Sequence, residues 1–280
     1  MHFIEKRKWF YIFSLIIIIP GIISMVMQGF NPGIDFTGGS LLNYKIEGTA
    51  NANDVRAVVE GLDISKEVSV QQSGKEFYIR TQELDQPSTA KVTAALKAKY
   101  NTITLQSAES VGATIGNEIT RNAVFAVLIA MVLMLIYITF RFEWAFGVAA
   151  VLALVHDVLI VLGLYSIFQW EINSAFIAAI LTIIGYSIND TIVIFDRVRE
   201  NLRMKKKEEL GNLLNRSILQ TMNRSVNTVL TVLMPLATLL LFGGSSIKGF
   251  AITLFIGFLF GMYSSICIAS PMYWEIKQRA

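Results

Sequence analysis

The sequence predicts an α-helical polytopic membrane protein with six transmembrane helices and one small α+β, ferredoxin-like extracytoplasmic domain. Three observations predict it. Of 280 residues, 54% are hydrophobic and only 16% charged, where soluble domains carry roughly 25% charged residues. The charges are unevenly spread, leaving six apolar runs, each with at most one charged residue, close to the ~20 apolar residues needed to cross a bilayer. Between the first and second run lies a polar, punctuated stretch with alternating strand and helix signals.

The first span is residues 9–28. It follows a short basic N-terminus, 1–8, whose Lys6, Arg7 and Lys8 predict a cytoplasmic start. A signal peptide is the competing reading, but no small-x-small cleavage site follows the apolar run. Pro20-Gly21 inside it predicts a kink or a loosened turn, which neighbouring helices can satisfy. The later spans are 120–140, closed by Arg141; 144–165, after a tight cytoplasmic turn; 174–195; 225–242; and 250–269, ended by Pro271. Residues 196–224 begin with a basic loop holding Arg197, Arg199, Arg203, Lys205, Lys206 and Lys207. Leu210, Leu213, Leu214 and Ile218 then share one helical face, predicting an amphipathic helix on the cytoplasmic membrane surface, or else a solvated connector. With Lys277 and Arg279 in the 270–280 tail, both termini and the basic loop read as cytoplasmic in a plasma (inner) membrane.

Residues 29–119 form the extracytoplasmic part. Strand signals fall at 41–46, 68–71, 76–81 and 102–107, with a hairpin at Ser73-Gly74. Helical spacing appears at 52–62 (Val55, Val58, Val59, Leu62) and 87–100 (Val92, Ala95, Leu96, Tyr100). The order strand, helix, strand, strand, helix, strand is that of a split βαβ unit. Eight basic and ten acidic residues between 30 and 116 give this domain no strong field with which to select one class of charge.

An ionisable residue within a span is costly and marks a functional site by default. Asp190 lies about 16 residues into the fourth span, roughly 24 Å along a helix. It shares a polar face with Thr182, Tyr186 and Asn189, and aspartate is too short to snorkel well. Arg224 opens the fifth span and heads a stripe continued by Asn227, Thr228 and Thr231. It reads either as an interface anchor or as a movable partner of Asp190, letting that carboxyl load and release a proton. His156-Asp157 lies in mid-membrane; neighbours in sequence point different ways on a helix, so proton transfer and simple packing stand as equal readings. Outside the spans, Gly33-Ile34-Asp35-Phe36-Thr37-Gly38-Gly39 reads as a shaped connector, its glycines opening backbone geometry closed to other residues. Gly257 and Gly261 form a close-packing pair in the sixth span.

Several classes are excluded. The single cysteine, Cys267, forbids an internal disulfide and sits in an apolar run as a small buried hydrophobe. Two histidines, one at position 2, make a metal site a poor reading. There is no nucleotide loop, no nucleophile–base arrangement and no metalloprotease motif. The reading is therefore no enzyme and no cofactor, with an ion gradient as the energy source. The net charge of +3 comes from basic residues beside apolar runs, which points to a lipid bilayer and not to nucleic acid.

The glycine motif 33–39, the His156-Asp157 pair, the run Gly185-Tyr186-Ser187-Ile188-Asn189-Asp190-Thr191 through Asp196-Arg197-Val198-Arg199-Glu200-Asn201, and Arg224 together resemble the SecF group of the SecD/SecF protein-export family. The resemblance covers nearly the whole chain and rests on the combination. It implies kinship with the proton-driven RND transporters, of which six spans would be one half. It implies SecD, the SecYEG channel, the SecA motor and unfolded exported chains as partners, with the proton-motive force promoting export. The family's membrane aspartate and arginine map onto Asp190 and Arg224, and the short N-terminus suggests a separate subunit, not a fusion with SecD. A small RND-type exporter of lipids or drugs would need twice the spans and a second outer domain. A passive scaffold would have no reason to carry Asp190 in the membrane. Ser187, Asn189 and Thr191 keep sodium open beside protons as the coupling ion.

Overall fold

The computed structural model describes residues 2–65, 67–100, 102–204 and 208–279. Two compact units are formed, one from Met1–Asn31 with Val124–Ala280, the other from Pro32–Ala123. In chain order the elements are α1 (Arg7–Met27), α2 (Ile34–Thr37), β1 (Gly39–Ile46), α3 (Ala52–Glu60), β2 (Val68–Ser73), β3 (Glu76–Thr81), α4 (Gln86–Lys99), β4 (Ile103–Val111), α5 (Ala113–Arg141), α6 (Trp144–Phe168), α7 (Ser174–Arg203), α8 (Leu210–Phe242), α9 (Ser245–Ser264), a π-helical turn (Ser265–Ala269) and α10 (Ser270–Arg279).

Six helical segments are long and apolar enough to cross a membrane: Arg7–Met27, Ala113–Arg141, Trp144–Phe168, Ser174–Arg203, Leu210–Phe242 and Ile247–Arg279. The chain is a multi-pass membrane protein. Helix α6 lies at the centre of the helical unit, packed by α1, α7 and α9. Its Ala145, Gly147, Ala149, Ala150 and Ala153 are all buried, and such small residues let helix backbones approach closely without a water-driven hydrophobic force. At the α1–α6 crossing, a Cβ on Gly21 would lie 2.7 Å from the Cα of Gly163. Helix α1 continues through Pro20. Gly257 of α9 faces the Ile183 side chain, and a Cβ on Gly261 would come 3.1 Å from the Ser187 Cβ, so α9 and α7 meet along the expected glycine pair.

Two expectations are corrected. No separate amphipathic helix precedes the fifth span: α8 is one helix from Leu210 to Phe242. Leu213, Leu214 and Ile218 are buried in protein, not spread on a membrane surface. The N-terminal segment folds back to cover them, with the Ile4 amide donating to Asn215 Oδ1 at 3.0 Å, and α10 packs beside it. An apolar face reads the same in sequence whether lipid or protein covers it. Nor does Pro271 end the sixth span. The chain stays helical through the π-helical turn Ser265–Ala269 into α10, which carries Pro271 as its second residue; such local π adjustments let a membrane helix continue past a proline. Lys205, Lys206 and Lys207 of the basic loop, and Lys66 of the outer domain, lie outside the described residues.

The smaller unit has a four-stranded antiparallel sheet in the order β2-β3-β1-β4, the split βαβ arrangement. Its core joins Leu42, Tyr44 and Ile46 of β1, Phe77 and Ile79 of β3, Val55 and Val59 of α3, and Val92 and Leu96 of α4. Asn51 caps α3 by accepting the Asp54 amide at 2.8 Å, and Asp85 caps α4 by accepting the Ser88 amide at 2.9 Å. The last strand runs on to Val111, beyond its expected end at 107, because it pairs with β1 as far as Gly39.

Candidate functional site

Asp190 sits on α7 and is 7% exposed. Its Oδ1 accepts a hydrogen bond from Ser225 Oγ of α8 at 2.6 Å. Its Oδ2 is buried and has no hydrogen-bond partner among the described residues. A carboxyl half satisfied in this way has one oxygen held and one available to a proton or a moving donor; leaving a buried polar atom unpaired normally costs about 1–3 kcal/mol.

Asp157 of α6 is fully buried. One oxygen, Oδ1, lies 2.9 Å from His156 Nδ1. The other accepts from Ser187 Oγ of α7 at 2.8 Å and Ser264 Oγ of α9 at 2.7 Å. His156 turns the other way, its Nε2 lying 2.8 Å from Ser14 Oγ of α1. Ser14 in turn meets Tyr263 Oη at 3.3 Å, and that phenol donates to the Phe10 carbonyl at 2.8 Å. Successive on α6, His156 and Asp157 bond to each other as well as to different neighbours, and so tie four helices through one connected polar network. Beside it Thr191 Oγ1 and Ser265 Oγ are 2.8 Å apart, at the start of the π-helical turn. Such turns commonly mark functional positions in helices.

Arg224 is exposed on α8 and has no ion-pair partner among the described residues. Asp190 and Arg224 therefore stand on adjacent helices without a salt bridge, and Ser225 occupies the carboxylate. The polar face expected on α7 divides: Asp190 is buried, whereas Thr182 and Asn189 are exposed. Exposed Asn227 and Thr231 continue the Arg224 stripe on α8.

In the outer unit, Gly33 precedes the short turn α2 with an ordinary φ of −74°. Gly38 (φ +74°) and Gly39 (φ +118°) occupy backbone space that other residues avoid. A Cβ on Gly38 would lie 2.7 Å from the Ala113 Cα. The motif's special geometry thus belongs to its glycine pair. Asp35 is in the first turn of α2, where a carboxylate suits the helix dipole.

Sequence reasoning missed Ser14, Ser225, Ser264, Ser265 and Tyr263. Their signal was present only as small hydroxyls in apolar helices, which becomes specific once the partner helix is known.

Residues 91–279 match the family model described as "Protein export membrane protein SecD/SecF, C-terminal", and residues 23–50 match the "SecD/SecF GG Motif". The chain is 42% identical to the protein translocase subunit SecF of Sebaldella termitidis, over 98% of this chain and 91% of that one. It is 40% identical to the protein translocase subunit SecDF of Bacillus subtilis, over 99% of this chain but 38% of that longer protein. The crystal structure of SecDF from Thermus thermophilus, described as a translocon-associated membrane protein, superposes with a TM-score of 0.93 at 38% identity, covering all of this chain and 39% of that one.

Proposed function

Because the chain belongs to the SecD/SecF protein-export family, we propose that it works as the SecF-type subunit of a protein translocase, using the proton-motive force to promote export of unfolded chains. The observation that carries the coupling step is Asp190: a carboxyl buried within membrane-crossing helices, with one oxygen held by Ser225 and the other unpartnered among the described residues. A fixed salt bridge would hold this carboxylate ionised and stop a proton cycle. In our reading Arg224, on the next helix and without an ion pair among the described residues, approaches Asp190 in one state and leaves it in another. A unit charge crossing the full potential is worth about 2.3 kcal/mol per 100 mV, enough to bias a two-state change. Asn189, exposed beside Asp190 on α7, is assigned a supporting part in the coupling site. The His156–Asp157 network holds α1, α6, α7 and α9 in register around the site.

Partnership with a SecD chain is supported by relatives that carry the matching region within a single SecDF protein. SecYEG, SecA and exported chains are the further partners we propose. The termini and the 196–209 loop would face the cytoplasm, and the 30–119 region the outside, where its nearly balanced charge suits weak contact with many unfolded sequences.

Export into membrane vesicles, measured with and without an imposed proton gradient, tests the coupling. Asp190→Asn is expected to insert and bind SecD normally while losing the gradient-dependent stimulation, with Arg224→Met close behind it. Full stimulation in Asp190→Asn vesicles would remove Asp190 as the coupling residue.

A further inference from the structure

We propose that the arginine-lined cleft at the C-terminal end of α7 binds the phosphate headgroup of an anionic phospholipid. The cleft has a volume of about 700 Å³ and brings together Arg141, Arg197, Arg199, Arg203 and Arg224 against only two carboxylates, Asp196 and Glu200. Those carboxylates neutralise little. Glu200 is taken by Arg197 at 2.6 Å, and Asp196 stands 4.0 Å from Arg141. Arg203 and Arg224 have no ion-pair partner among the described residues, and Arg199 donates only to the Arg141 carbonyl, at 3.3 Å. Guanidinium forks match phosphate oxygens two at a time.

The surroundings favour a lipid over a soluble phosphate. A smaller adjoining cleft shares Arg141, Arg199 and Arg203 and adds Phe140, Phe142 and Leu202 to the wall. Phe140 is 94% exposed and Met204 51%. These apolar side chains flank the arginines at the ends of membrane-crossing helices, where acyl chains would lie. Arg141 and Arg199 both lie over the Phe142 ring, 5.5 and 5.7 Å from its centroid, which gathers two guanidiniums beside one apolar surface. Basic pockets between membrane helices on the anionic leaflet are where such headgroups collect. The inference shares Arg224 with the proposed coupling site but rests on Arg141, Arg199 and Arg203, and its test leaves Arg224 unchanged.

The test is displacement of fluorescent phosphatidylglycerol from the full-length chain in phosphatidylcholine nanodiscs, with native mass spectrometry reading co-retained lipid. Phosphatidylglycerol should be retained over phosphatidylcholine. The R199Q/R203Q variant should weaken its affinity on the order of twentyfold, about fivefold per arginine removed. R199K/R203K keeps the charge and loses only the forked geometry, so a drop of a few-fold is expected, which separates site loss from misfolding. K6Q/K8Q removes two exposed charges from the N-terminal segment outside the cleft and should change little. The proposal is overturned if phosphatidylglycerol is held no better than phosphatidylcholine, if K6Q/K8Q loses as much as R199Q/R203Q, or if millimolar inorganic phosphate displaces the lipid completely and marks a soluble-phosphate site.

Discussion

Ser225 Oγ lies 2.6 Å from Asp190 Oδ1 and makes the one hydrogen bond recorded for that carboxyl among the described residues. Ser225 neighbours Arg224 in sequence, so a shift of α8 combined with a swing of the long arginine side chain would exchange a neutral donor for a charged one. Ser225→Ala is expected to leave the protein folded and to lower gradient-stimulated export roughly tenfold, the scale of one hydrogen bond to a charged group. Ser225→Thr keeps the hydroxyl and should retain most activity. Equal export by wild type and Ser225→Ala would mean that this bond has no part in coupling.

Asp157 makes a contrasting prediction, mainly about stability. Asp157→Leu strips Ser187 and His156 of their shared acceptor, each buried orphan costing about 1–3 kcal/mol. Thermal unfolding in detergent should show a clear drop in Tm. Asp157→Asn keeps one carbonyl acceptor and should be milder both in Tm and in export. An Asn variant that is stable yet inactive would instead assign Asp157 to proton transfer.

The glycine pair is testable against its own motif. Gly38→Ala places a side chain at a φ of +74° and ψ of 172°, against the Ala113 backbone. A cost of at least about 1–3 kcal/mol follows from the backbone alone. Gly33→Ala, at φ −74°, carries no such backbone penalty. Hydrogen exchange of β1 and β4 amides in the full chain should rise strongly for the first variant and little for the second.

Asp85 supplies a pH-dependent contact in the outer domain. The Ser88 hydroxyl and amide at the start of α4 hold its carboxyl below the usual aspartate range. A depressed folded-state value adds stability above the unfolded value and loses it as pH falls through the folded one. At neutral pH, exchange at the first turn of α4 should therefore be slower in wild type than in Asp85→Ala. The difference should close in acid, below the ordinary carboxylate range. A gap that persists there would assign the protection to something other than the charged cap.

Orientation is checked by thiol labelling in a Cys267→Ser background. Met204→Cys, at an exposed position after α7, should resist an impermeant reagent applied to intact cells. Lys75→Cys, exposed in the hairpin turn, should react. Labelling at 204 from outside would reverse the topology.

The sequence by itself determined the membrane-crossing segments and the order of strands and helices in the outer domain. Both follow from local patterns: long apolar runs have no stable place in water, and alternation or helical spacing marks which face is buried. It also singled out Asp190, Asp157 and Arg224, because an ionised group in an apolar run is conspicuous without any structure. Only the tertiary structure decided what those groups touch. Ser225 on Asp190, Ser187 and Ser264 on Asp157, and Ser14 on His156 join residues 35, 30, 107 and 142 positions apart. A serine in a membrane helix looks the same whether it bonds its own backbone or a neighbour's carboxylate. Likewise the apolar face of Leu213, Leu214 and Ile218 needed a covering surface, and the packed chain, not the lipid, provides it. The π-helical turn that carries the chain past Pro271 is a hydrogen-bond register, set where Ser265 and Thr191 meet across α9 and α7.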